Sequence, residues 1–187
     1  MNQDLSAPAL TQLARRYYPA SIGMDDPRHD ESEEARRRSA RLEAAMKDTG
    51  GWERFLRRVE EAFPGCTVRD ASSLPYESSH RCNVTLSETR LQNGKEENAV
   101  GCMLSLLAPV YAVYATHRRE EGLNMESWRR FPPLPPEFQA HEAKLAALVE
   151  SSFGFSRLPN DVLFTPVPEL RIGMLGNRGA RLLECLF

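Results

Sequence analysis

The sequence predicts an α+β domain in which an antiparallel sheet of about four strands is flanked by N-terminal helices and one C-terminal helix. Three observations carry this reading. Apolar residues recur at spacings of three and four toward both ends of the chain, they alternate with polar residues in the middle, and an Asn93-Gly94 turn signal lies between two strand-like runs. The chain has 187 residues, 41% of them hydrophobic, enough for one sizeable core and few for two. The expected organisation is a single domain, with residues 1–50 as a helical extension and residues 51–187 as the sheet and its flanking helices.

The elements follow in order. Residues 7–18 set Leu10, Leu13 and Tyr17 on one helical face, and Pro19 ends that helix. An acidic stretch comes next and reads as a solvated loop or helix start. From Glu31 to Lys47 helix formers dominate, with acids in the first turn and arginines after them, the order that suits the helix dipole. Gly50 and Gly51 separate this long exposed helix from a second, in which Trp52, Phe55, Leu56, Val59 and Phe63 form one apolar stripe.

After Pro64-Gly65 the period changes to two, and residues 66–72 and 80–86 read as half-buried strands. The most apolar segment, 99–117, divides into strands near 99–107 and 110–117 about Ala108-Pro109. That junction is either a tight reversal, which pairs the two strands, or a bulge in one long bent strand. Residues 136–153 form an amphipathic helix with Gly154 as its stop signal, and the proline-rich remainder is an extended tail that packs back through RLLECLF.

Composition narrows the function. A net charge of −2 gives no general attraction to nucleic acid or anionic lipid, so neither is an expected partner. The absence of a signal-like or membrane-length apolar run points to the cytoplasm. Cys66, Cys82, Cys102 and Cys185 are scattered, without the CxxC spacing of a zinc site, and are expected as reduced, mostly buried thiols. No cofactor is expected.

The local motifs point away from catalysis. Arg129, Pro132 and Pro135 match an R-x-x-P-x-x-P ligand, but the stretch joins a sheet to a helix, and Phe131 and Leu134 are expected to anchor that crossover to the core. The helix beginning HEAKL at His141 has Leu145 where a second zinc-binding histidine would stand. His80 with Cys82, or Cys102 with His117, could pair as imidazole and thiol, yet nothing supplies an oxyanion hole. The glycine-rich stretch 173–182 lacks the G-K-[ST] ending of a phosphate loop and reads as a turn.

Carboxylates cluster in two segments. Asp25, Asp26, Asp30 and Glu31 lie in the first, and Glu88, Glu96 and Glu97 in a presumed loop over 88–97. Such patches keep a protein soluble, and they also steer it toward a basic partner, so these seven residues are the candidate partner-binding set.

RRYYPASIGMDDPRHDESEEARRR near the start, LLAPVYAVYATH in the middle, and FGFSRLPNDVLFTPVPEL with ECLF at the end resemble uncharacterised small bacterial proteins associated with immunity to toxins. This resemblance implies a cytosolic α+β protein that neutralises a cognate toxin by binding it without catalysis. A secretion-type chaperone for an effector, or a small enzyme with a dispersed active site, are the alternatives.

Overall fold

A computed structural model describes residues 4–23, 25–172 and 179–187. Its centre is an antiparallel meander of five strands in sequence order: β1 (Thr67–Asp70), β2 (Ser79–Leu91), β3 (Gly94–Ser105), β4 (Val110–Glu121) and β5 (Asn124–Arg130). Ahead of it come α1 (Ala7–Ala14), α2 (Pro27–Glu31), α3 (Glu33–Lys47) and α4 (Gly50–Ala62). After it come α5 (Pro136–Phe153), β6 (Ser156–Arg157), α6 (Asn160–Leu163), β7 (Pro166–Val167), β8 (Ala180–Arg181) and α7 (Leu182–Leu186). The α+β architecture is therefore the one expected, with a fifth meander strand, β5, added to it. The short β6 pairs in parallel with the start of β4.

Both faces of the sheet's near half are covered. On one face α4 and α5 bury Phe55, Val59, Leu145 and Val149 against Cys82, Val84, Val100, Cys102, Tyr111 and Val113. On the other, Leu10 and Ala14 of α1, Leu182 and Leu186 of α7, and Leu163 and Leu170 of the tail pack on Met103, Ala112 and Tyr114. This two-sided burial explains why residues 99–104 and 110–115 carry no charged or strongly polar side chain, where a one-sided strand would alternate. Each fully buried side chain of this kind contributes about 1.5–3 kcal/mol.

One open boundary is resolved and two expected ones change. The Ala108-Pro109 junction is a reversal: β3 and β4 pair antiparallel, from Gly94 opposite Glu121 to Leu104 opposite Tyr111. The Ser105 hydroxyl caps the turn by accepting from the main-chain N–H groups of Leu107 and Ala108 at 3.1 and 3.3 Å. Gly50 and Gly51 open α4 instead of preceding it. The first helix stops at Ala14, yet the chain still buries Tyr18, whose hydroxyl lies 2.9 Å from Ser78 Oγ.

Arg38 of α3 ties these parts together. It is only 8% exposed. Its Nε donates to Tyr18 Oη at 3.1 Å and Ser78 Oγ at 2.9 Å, and Nη2 to the Tyr76 carbonyl at 2.8 Å. A buried cation of this sort persists because its N–H groups are satisfied.

Candidate functional site

Past the covered half, the strands run on. Leu91 faces Gly94 across a two-residue turn at Gln92-Asn93, one position earlier than the Asn93-Gly94 signal suggests, and Glu121 faces Asn124 across Gly122-Leu123. Gly122 adopts φ +60°, the left-handed conformation that such a turn requires. From Ala99 to Gly94 the hairpin extends roughly 17 Å at about 3.4 Å per residue. The presumed loop 88–97 is thus a β-hairpin.

Charges of opposite sign meet across β3, β4 and β5: Glu97 stands opposite Arg118, Glu96 opposite Arg119, Arg119 opposite Glu126, and Lys95 opposite Glu120, whereas β2 sets Glu88 opposite Glu97 and Arg90 opposite Lys95. Lys95 Nζ lies 3.1 Å from Glu97 and 3.4 Å from Glu88, Arg119 lies 2.9 Å from Glu121, and Arg118 pairs with Glu120. Burial works against the charge of Glu97, but hydrogen bonds from Lys95 and Thr85 prevail and hold its carboxyl below its ordinary range. The carboxylates of this segment therefore form a mixed-charge lattice and not an acidic patch.

The N-terminal carboxylates differ. Asp26 caps α2 through the Arg28 N–H at 2.9 Å and is gripped by the Arg28 guanidinium at 2.6 Å, which lowers its pKa to about 2. Asp30 lies 3.0 Å from His29 Nδ1, whereas Asp25 and Glu31 are exposed at the start and end of this short stretch. The seven sequence-selected residues thus occupy two separate elements, one at α2 and one on the β2–β3 hairpin.

Other features of the hairpin pair escaped the sequence reading. Leu123 is fully exposed at the β4–β5 turn and Met125 is 67% exposed beside it. Arg129 places its guanidinium 4.9 Å above the Tyr114 ring, and Arg130 lies 4.8 Å above the Trp128 ring on the opposite face. The residue types were visible in sequence, but Tyr114 reaches Arg129 only through strand pairing.

The sequence offered two thiol and imidazole pairs, His80 with Cys82 and Cys102 with His117. Cys82 and Cys102 face each other across β2 and β3, and burial, with Cys82 adding to it, pushes the Cys102 thiol well above its ordinary pKa. His117 is occupied by Asn98 Oδ1 at 3.0 Å and stacks on Trp128, while Cys102 lies opposite Val113, four residues along β4 from His117. All four cysteines are free thiols.

His80 has a different setting. Its ring stacks on Trp52 at 4.7 Å, and Nδ1 lies 3.4 Å from Ser72 Oγ. Trp52 Nε1 donates to Asp70 at 2.9 Å. Burial holds the His80 pKa below 6.5, with Asp70 opposing. These rings border a cavity of about 530 Å³, lined also by Arg41, Leu104, Phe153 and Phe155. Ser72, which would have to be the nucleophile of a serine-histidine pair, is already engaged by the Arg81 N–H at 3.0 Å.

The proline crossover packs inward. Phe131 meets Phe164 edge-on at 5.4 Å on one side of the sheet, and Leu134 is buried with α4 and α5 on the other. His141 tilts over Phe63 at 6.0 Å. Among the described residues, no group of three or more His, Cys, Asp or Glu could hold a metal ion. In the glycine-rich stretch 173–182, residues 173–178 lie outside the described residues, and Ala180–Arg181 form β8.

No family model, curated protein or solved structure matches this chain. Among the described residues, no helix is long and apolar enough to cross a membrane.

Proposed function

We propose that this is a non-catalytic protein-binding protein, of the immunity type that neutralises a cognate toxin by occupying it, and that the projecting hairpins are its contact surface. The observation that carries this reading is the tip of the β4–β5 hairpin, where Leu123 and Met125 stand in water on a charge-laced projection. A folded core gains nothing from them there, whereas a partner that covers them gains apolar burial inside a polar rim, the anatomy of a protein interface. The resemblance read from the sequence supports a toxin as the partner and a cytoplasmic setting.

Asp25, Asp30 and Glu31 contribute at longer range in this proposal, by steering a basic region of the partner. Glu88, Glu96 and Glu97 sit in the contact surface itself, where their fixed pairing with Lys95 and Arg119 sets register rather than attraction.

A doubly substituted L123D/M125D protein tests the reading. Both positions are exposed, so the melting temperature should be unchanged. Wild-type protein should retain a specific partner from an extract of the source cells and the double variant should lose it. Equal retention by the two proteins would refute the hairpin tip as the contact.

The cavity beside Trp52 and His80 favours a second reading, a small-molecule site, because its volume and mixed lining suit one. Partner retention that survives in L123D/M125D but is abolished by filling this cavity with L106W would shift the function there.

A further inference from the structure

Two edges bound the sheet, and they are unlike. The β1 edge is four residues long, and its Asp70 carboxylate is held by Trp52 of α4, so it offers little to an added strand. The β5 edge is seven residues long, has no proline within it, and keeps unbroken register with β4 from Asn124 to Arg130. Its outer side has no neighbouring strand among the described residues. Main-chain N–H and C=O groups there are turned to solvent, the arrangement that accepts an extended peptide.

Charge says which peptide. Glu126, the carboxylate of β5, faces Arg119 and helps to hold it charged. Arg129 and Arg130 instead rest on aromatic rings, one on each face of the sheet, and neither has a carboxylate within ion-pair distance among the described residues. Successive side chains of a strand point to opposite faces. Two consecutive acidic residues in an added strand would therefore meet these two guanidiniums at once. On the Arg129 face a basin of about 450 Å³ continues the cationic lining with Arg69, Lys95 and Arg118 around a single carboxylate, Glu97.

Resting on the protein-binding reading above, we infer that β5 is the docking edge for an extended segment of the partner carrying adjacent acidic residues, which adds to the sheet as a sixth meander strand. Stacking on Tyr114 and Trp128 holds the two arginines flat and ready, so little side-chain freedom is lost when a carboxylate arrives. A second copy of the chain fits the edge less well, since its own β5 would bring more arginines than carboxylates to the same place.

The test uses the whole protein and a synthetic probe, the capped hexapeptide Thr-Val-Glu-Glu-Val-Thr, followed by backbone amide NMR. Shifts concentrated in β5 and the adjoining part of β4, with exchange protection of the outward β5 amides, are the expected result. R129S/R130S should weaken the probe by roughly three- to tenfold, as two exposed charge pairs allow, while R57S on α4 should leave it unchanged. The matched Lys-Lys peptide should bind more weakly than the Glu-Glu one. Four outcomes would overturn the inference: no response of β5 at millimolar probe, equal binding of the Lys-Lys peptide, preferential binding of a ten-nucleotide oligodeoxythymidine, or a β5-paired dimer before any probe is added. Loss of partner retention in L123D/M125D together with a silent β5 edge would leave the protein-binding reading standing and remove only the strand addition.

Discussion

Replacing Gly101 by alanine tests whether the sheet beneath Tyr114 is packed as described. A Cβ at this position would lie 2.6 Å from Tyr114 Cζ and 2.7 Å from its hydroxyl, and closer still to Asn83 Oδ1. Those two groups share a 2.6 Å hydrogen bond directly over the glycine. Tyr114 is 1% exposed and cannot swing out into water. Overpacking of this kind costs about 1–3 kcal/mol, and a disrupted Tyr–Asn bond adds about 1 kcal/mol. G101A should therefore lose about 2–4 kcal/mol, which for a chain of this size lowers the melting temperature by roughly 5–15 °C. Urea unfolding followed by tryptophan fluorescence should show a lower midpoint with an unchanged slope. Placing the substitution in an N83A background should recover part of the loss, because the nearest clashing atom is gone. A cost below about 0.5 kcal/mol, or no coupling to Asn83, would refute the packing and with it the fixed position of Arg129 above Tyr114.

Further expectations follow from the buried groups and the acidic stretch. Burial depresses the His80 pKa, so the unfolded chain takes up its proton first: stability is complete above pH 6.5 and falls as the pH drops through the lower folded value. H80Q should flatten that acid slope in thermal melts, and an unchanged slope would contradict the assignment. Alkylation of the native protein should modify half-buried Cys66 first and spare Cys82, Cys102 and Cys185, the last with its pKa pushed up to about 12 by burial and the nearby Glu184 and Glu169 charges. Prompt labelling of Cys82 or Cys102, read by peptide mass spectrometry, would contradict it. Charge reversal of Asp25, Asp30 and Glu31 should slow association with the captured partner and weaken its salt dependence without changing the melting temperature. Unchanged rates would remove the steering role.

Much of the fold was legible because burial writes a period into the chain. The stripe Trp52, Phe55, Val59 and Phe63 marks α4 as a core helix, and all four are buried. Where both faces are solvated the period disappears. The distal halves of β2, β3 and β4 alternate nothing apolar with polar, and their order comes from Glu96 meeting Arg119 and Glu97 meeting Arg118, a relation between strands that no single segment displays. The β5 strand is exposed at nearly every position and was missed for the same reason. Gly50 and Gly51 look like breakers in isolation, yet α4 starts on them because the apolar stripe that follows fixes its first turn.

The candidate site was less legible than the fold. Acidic residues could be counted, but their partners could not: Glu88, Glu96 and Glu97 read as an acidic loop until Lys95 and Arg119 are placed beside them. Arg129 drew attention through the prolines that follow it, although its position depends on Tyr114, fifteen residues earlier.

Hydrogen exchange of the protein, alone and with its captured partner, tests the central proposal most directly. New protection is expected on the β4–β5 hairpin, from about residue 118 to 130, and on the neighbouring tip over 88–97. Protection confined to α4, α5 and the cavity beside Trp52 and His80, with the hairpins exchanging as freely as before, would contradict it.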